Sequence, residues 1–248
     1  GYVIGNGDDP RVRTLMDNAH CRPVSFGLGA QNDWHPADLR YDEEGHPHFE
    51  AVYMGCTVAE MALQVHGEFS VLNVLAALSA AYVLGADISK AAAALNAFTP
   101  VHRRFELTGI VDGVKLYHDY GHNPVEMRNA LSVAKMQKHN RLWAVMQPHT
   151  YSRVKTLFND YIGCCDAADE VLITDIYAAR EKDPGDINTG MLVEAMEKTG
   201  RTAHWTPSFD DTEAYLRAHW QPGDLVLTMG CGNINLLNDQ ISRNGDSR

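Results

Sequence analysis

Four short stretches concentrate side chains able to do chemistry: DYGHNP at 119–124, QPHTYSR at 147–153, DIYAARE at 175–181 and GCGN at 230–233. They offer Asp119, Tyr120, His122, His149, Arg153, Asp175, Tyr177, Arg180, Glu181 and Asn233. Carboxylates, imidazoles and guanidinium groups together suit a polar, anionic ligand and proton handling near neutral pH. Each stretch follows a short apolar run that reads as a strand. In an open parallel sheet, ligands bind beyond the carboxyl ends of the strands, where helix N-termini also point. So many polar side chains at four such ends exceed what helix capping requires.

Each residue also has a plainer role open to it. Asp119 satisfies a turn, or its two acceptor oxygens take a ribose diol. Tyr120 is core, or an aromatic lid on a base. His122 and Asn123 serve the backbone ahead of Pro124, or hold a carboxylate. His149 follows Pro148 and suits a structural strand end. Arg153 falls in the first turn of a helix, where it opposes the macrodipole, so a functional reason is favoured. Arg103 and Arg104 are solvated surface, or paired forks for a polyanion such as a triphosphate tail beside an interdomain cleft. Asn73 sits in the most apolar helix, either as a satisfied core amide or as a bidentate reader of an adenine edge.

The elements that must position these residues follow from periodicity. A strand at 2–4 leads to an Asp8 or Asp9 cap, Pro10 and a helix to about 18; PVSFG is a second strand. Residues 36–65 alternate around DEEGHP as a hairpin or small antiparallel sheet. Two Ala-rich helices flank Gly85, and the first, apolar on nearly every side, is expected to be buried. From Phe105, two strands joined by Asp112-Gly113 form a hairpin. Helix 124–137, strand 142–146, helix 152–165, strand 170–174, helix 188–199, a short strand near 202–205, helix 209–219, strand 225–229 and a helix from about 233 complete the pattern. The expected fold is α/β with two domains, 1–99 and 100–248, the second doubly wound and Rossmann-like.

The chain has 248 residues, 45% hydrophobic and 21% charged, with a net charge of -11. That acidity and the lack of a Lys/Arg run argue against nucleic acid as a partner. No apolar stretch approaches the roughly 20 residues that span a bilayer, and the first residues lack a signal-peptide pattern, so no membrane association and a cytoplasmic location are expected. The five cysteines form no C-x-x-C pair and are read as reduced, buried thiols. The HPH at 46–48 is read as a solvated turn, and no structural metal site is expected.

HRRF, DYGHNP, QPHTYSR followed by LFNDY, DIYAAREKDPG and GDLVLTMGCGNI occur in this order at intervals that resemble the Mur ligases. GDDPRVRTL and GEFSVLNVLAAL resemble the later part of that family's central ATPase domain. The resemblance implies a partial central ATP-binding domain followed by the family's C-terminal domain. It also implies preceding domains of the same chain, with the UDP-sugar site, the G-K-T phosphate loop and the Mg²⁺ ligands; this chain contains no G-K-S/T. The implied reaction joins L-alanine to UDP-N-acetylmuramate with ATP, through an acyl phosphate, in peptidoglycan precursor synthesis. The implied roles are phosphate contact for Arg103 and Arg104, adenine for Asn73, ribose for Asp119, base for Tyr120, and the amino-acid carboxylate for His122 and Arg153, with Arg104, His122 and Arg153 the catalytic set. Phe69-Ser70 replaces a family His-Asn, Thr150 a second Arg, and Asn123 a second His. By itself the chain is expected to be inactive. A ligase that reattaches preformed peptides, and a silent nucleotide-binding module, are the alternatives.

Overall fold

The computed structural model describes residues 1–245. The chain is mixed α/β and divides into two units, Gly1–Pro100 and a second from Val101 onward. Among the described residues no helix is long and apolar enough to cross a membrane.

The first unit runs β1 (Tyr2–Asn6), α1 (Pro10–Asp17), β2 (Arg22–Phe26), β3 (Trp34–Tyr41), β4 (Pro47–Tyr53), β5 (Cys56–Ala62), α2 (Glu68–Val83) and α3 (Ile88–Asn96). Its sheet is ordered β1-β2-β3-β4-β5, with β1, β2 and β3 parallel and β3, β4 and β5 antiparallel. The alternation over 36–65 is therefore three strands, with a second reversal at Met54-Gly55. Asp9 caps α1 by accepting from the Arg11 amide, and Pro10 opens the helix. Trp34, Leu63, Leu75 and Leu78 are the large side chains at the centre of the core.

One expectation is corrected here. Helix α2 buries Val71, Val74, Leu75 and Leu78, but Phe69, Asn73, Ala77 and Leu84 lie on an open side. Asn73 is exposed and is not a satisfied core amide. Uniform hydrophobicity hid the orientation, because alanines tolerate either environment and leave no moment to read.

The second unit runs β6 (Glu106–Val111), β7 (Val114–Asp119), α4 (Pro124–Met136), β8 (Leu142–Met146), α5 (Tyr151–Thr156), α6 (Phe158–Ile162), β9 (Glu170–Ile173), α7 (Thr189–Glu197), β10 (Ala203–Trp205), α8 (Phe209–His219), β11 (Leu225–Met229) and α9 (Asn235–Gly245). The sheet is ordered β10-β9-β8-β11-β7-β6, parallel except for β6. Strands β8 and β11 are buried throughout, as the central strands of a sheet covered on both faces must be. Side-chain alternation splits them between two cores. Leu142, Ala144, Met146, Leu225 and Leu227 join the residues of α4 and α7, whereas Trp143, Val145 and Val226 join those of α8 and α9.

Two helices differ from the sequence pattern. The helix expected over 152–165 breaks at Leu157 (φ −106°, ψ 21°), and the second piece carries Tyr161, whose hydroxyl donates to the His122 carbonyl at 2.7 Å. The last helix starts at Asn235 because Asn233 is engaged with Gln147, Nε2 donating to Asn233 Oδ1 at 2.9 Å and the Asn233 amide donating to Gln147 Oε1 at 3.2 Å. All five cysteines are free, but only Cys164 and Cys165 are buried; Cys56 is exposed and Cys21 and Cys231 are half-buried.

Candidate functional site at the carboxyl edge of the second sheet

The loop entering β6 is bent by two residues in left-handed backbone, Arg103 (φ 64°) and Phe105 (φ 42°), a conformation that costs non-glycine residues about 1–3 kcal/mol each. Several bonds hold it. The Tyr120 amide donates to the Arg103 carbonyl at 2.7 Å, and the Arg103 amide donates to Glu106 Oε2 at 2.8 Å. The Phe105 amide donates to Asp119 Oδ2 at 2.9 Å. Asp119 Oδ1 also accepts from the Gly121 amide at 2.6 Å, so each carboxylate oxygen already has one partner. Asp119 is buried, and burial pushes its pKa up against the pull of those amides and Arg104.

Arg103 points inward. Its Nε donates to His118 Nε2 at 3.0 Å, and its Nη2 donates to the carbonyls of Gly230 and Gly232, each at 3.1 Å. Because His118 Nε2 accepts, its proton belongs on Nδ1, which donates to Thr228 Oγ1 at 3.0 Å; the Thr228 hydroxyl passes on to the Tyr117 carbonyl at 3.2 Å. Burial, with Arg103 beside it, holds the His118 pKa down at about 4, so the ring is neutral at pH 7. Arg103 is thus a tie between the 103–105 loop and the glycine loop after β11. Arg104 is exposed, and both guanidinium carbons lie over the Tyr120 ring, 4.8 Å (Arg103) and 5.4 Å (Arg104) from its centroid.

From Tyr120 a row of rings crosses the sheet edge. Tyr120 meets His122 at 5.7 Å, His122 meets His149 at 5.8 Å, and His149 stacks on Tyr177 at 5.7 Å. The backbone fixes the far half: the Tyr177 amide donates to the Pro148 carbonyl, and the Thr150 amide, from left-handed backbone (φ 64°), donates to the Tyr177 carbonyl. Gly232 packs so closely that an added Cβ would lie 2.3 Å from Gln147 Oε1 and 2.9 Å from Tyr177 Cγ. Arg153 Nη1 is 3.2 Å from His149 Nδ1. Burial, then Arg153 and His122, lower the His149 pKa, so Nδ1 is free to accept from the guanidinium. Arg153 also borders Cys231, whose thiol is raised by burial despite that cation.

The structure brings together Arg103, Arg104, Asp119, Tyr120, His122 and Arg153, all in the second unit. Asn73 belongs to the first unit, on the open side of α2. Asp175 is elsewhere engaged, accepting from Trp205 Nε1 at 2.8 Å. Three contributors are given no role by the sequence, although His118 stands out as a polar strand-end residue. His118 is the acceptor behind Arg103. Glu126 Oε2 accepts from the His122 amide at 3.0 Å and sits 3.3 Å from His122 Nδ1. Tyr161 backs His122 from α6. Only Glu126 had a signal of its partner, its i,i+4 spacing from His122.

The edge does not fit Mg²⁺. That ion demands oxygen ligands in near-octahedral array, and this edge presents guanidinium, imidazole and phenol groups. Its carboxylates are committed: Asp119 to two amides, Glu126 to His122, and Glu181 to the Ser152 amide and hydroxyl.

The second unit is of the class of doubly wound α/β domains, and its carboxyl edge gathers guanidinium and imidazole groups chemically suited to a polar, anionic ligand. Comparison with known proteins makes this specific. The glutamate ligase domain of the Mur ligases matches residues 103–232 and the Mur ligase middle domain matches residues 1–81, and the chain belongs to the Mur ligase family. It is 40% identical over 234 residues to the UDP-N-acetylmuramate–L-alanine ligase of Caldanaerobacter subterraneus, covering 94% of this chain and 51% of that protein. It is 37% identical to the ligase of the same name from Acetivibrio thermocellus, covering 94% and 50%. The chain therefore spans about half the length of the curated relatives it matches. Among solved structures, UDP-N-acetylmuramate–alanine ligase MurC from Thermotoga maritima superposes with a TM-score of 0.77 at 23% identity, over 99% of this chain and 52% of that one. A murein peptide ligase from Psychrobacter arcticus superposes with a TM-score of 0.72 at 22% identity, over 98% and 51%. These two likenesses establish the fold.

Proposed function

We propose that this chain is the nucleotide- and amino-acid-handling half of a cytoplasmic ligase that joins L-alanine to UDP-N-acetylmuramate in peptidoglycan precursor synthesis. The observation that carries the reading is 40% identity, across nearly the whole chain, to a protein of that activity. In the reaction, a carboxylate oxygen of the muramoyl group attacks the γ-phosphorus of ATP and ADP leaves. The amine of L-alanine then attacks the acyl carbon, phosphate departs and the amine gives up a proton. Negative charge must be balanced throughout, and fixed cations do so without reorganising.

Arg104 is the exposed guanidinium available to a phosphate, with Tyr120 beneath it as the surface for the base. Arg103 supports both by fixing the loop. Asp119 retains one lone pair on each oxygen for ribose hydroxyls, and Asn73, exposed on α2, is free to meet the adenine edge. Arg153 and the His122 ring are spaced across His149, a geometry suited to gripping the carboxylate of the amino acid and aiming its amine.

The test is phosphate release from ATP by the longer protein that includes this chain, with UDP-N-acetylmuramate present and L-alanine added or withheld. Release that requires L-alanine supports the reading. Release that requires a preformed peptide instead transfers the chain to the peptide-reattaching ligases, and none with either acceptor leaves only nucleotide binding.

A further inference from the structure

The turn between β3 and β4 gathers ligand-bearing side chains that the proposed ligase reaction does not use. Asp42 builds this turn: Oδ1 accepts from the amides of Glu44 at 3.0 Å and His46 at 2.8 Å, which leaves Oδ2 directed at His46 Nδ1, 3.0 Å away. His46 immediately precedes β4 and His48 is its second residue, and both rings face the Asp42 carboxylate. His48 Nε2 lies 3.8 Å from Asp42 Oδ2, and Glu44 Oε2 lies 3.7 Å from His46 Nδ1. The donor atoms of Asp42, Glu44 and His46 all fall within 4.8 Å of one another.

These separations have a chemical meaning. A tetrahedral ion with bonds of about 2.1 Å holds its ligand atoms about 3.4 Å apart. The distances of 3.0, 3.7 and 3.8 Å bracket that edge for Asp42 with His46, Glu44 with His46 and Asp42 with His48. Two carboxylates and two neutral imidazoles cancel a double positive charge. A mixed nitrogen and oxygen set selects a borderline ion over Mg²⁺ or Ca²⁺, which prefer oxygen alone. The neighbouring His66 ring stacks on His46 with centroids 4.4 Å apart and backs it.

We propose that Asp42, Glu44, His46 and His48 bind one divalent transition ion of the zinc class. The Gly67 amide, just ahead of α2, donates to the Gly45 carbonyl at 3.2 Å. A clamped turn therefore stiffens the start of α2 as well as the hairpin.

The test is titration of the whole chain with Co²⁺, whose strong visible bands report tetrahedral nitrogen and oxygen coordination. One equivalent is expected to bind, to be displaced by Zn²⁺ and to be indifferent to excess Mg²⁺. His48→Gln and Glu44→Gln, on a turn whose backbone is folded by Asp42, are each expected to weaken binding about tenfold or more with unchanged circular dichroism. His20→Gln, remote in sequence and exposed, is expected to leave it unaltered. Absence of a saturable tetrahedral spectrum at millimolar Co²⁺, or a spectrum that both turn variants preserve, overturns the site.

Discussion

At the scale of single residues, the site depends on side chains that hold other side chains. Arg103 was legible in HRRF as a cation worth explaining, but not as an inward tie, because its partners lie 15, 127 and 129 positions away. The same holds for His118, which in the sequence is a polar residue at a strand end with no partner to be read. Its neutral ring has a measurable consequence. With a folded pKa of about 4 against an ordinary 6.5, the unfolded chain binds a proton in that window that the folded chain refuses. Stability therefore rises with pH from about 4 to 6.5, and falls by about 3 kcal/mol on descending through it. Urea unfolding at pH 4.5 and 7 is expected to show this loss in the native chain and a smaller one in His118→Gln. Equal slopes in the two proteins would contradict the tautomer and the burial assigned to His118.

At the scale of elements, alternation of strands with amphipathic helices was readable throughout the second unit, as was the Asp112-Gly113 hairpin, because turn chemistry and periodicity are local. What could not be read was set by tertiary demand. The break at Leu157 serves Tyr161, and the open side of α2 was invisible in a helix made of alanine and leucine. The joint between β7 and the loop before β6 is likewise tertiary, resting on Asp119 and two buried amides. Asp119→Ala leaves both amides unpaired, and each charge-assisted bond contributes about 1.5–3 kcal/mol. A loss of about 3 kcal/mol or more is expected in the unfolding free energy obtained from urea titration, together with loss of the left-handed turn at Arg103 and Phe105. A loss below about 1 kcal/mol would show that the carboxylate is dispensable to the loop and reserved for ligand.

At the scale of the whole molecule, each unit is organised around its own buried clusters. Leu75 is fully buried among Trp34, Leu63 and Leu78 in the first unit, and Leu227 among Leu142, Ala144 and Met146 in the second. Leu75→Ala and Leu227→Ala are each expected to cost about 2–5 kcal/mol, measured by calorimetry, with the effect in the transition of the unit mutated. The α/β class was legible because strand and helix periods differ. The candidate site was legible as four strand ends, while its supports were not.

The central claim is that the edge of the second sheet grips the amino-acid substrate of a ligase. The most direct measurement is steady-state kinetics of Arg153→Ala in the proposed ligase. Losing a charge-assisted carboxylate contact of about 1.5–3 kcal/mol raises the amino-acid KM by about tenfold or more and leaves the ATP KM nearly unchanged. An unchanged amino-acid KM, or an equal rise in both, would contradict it.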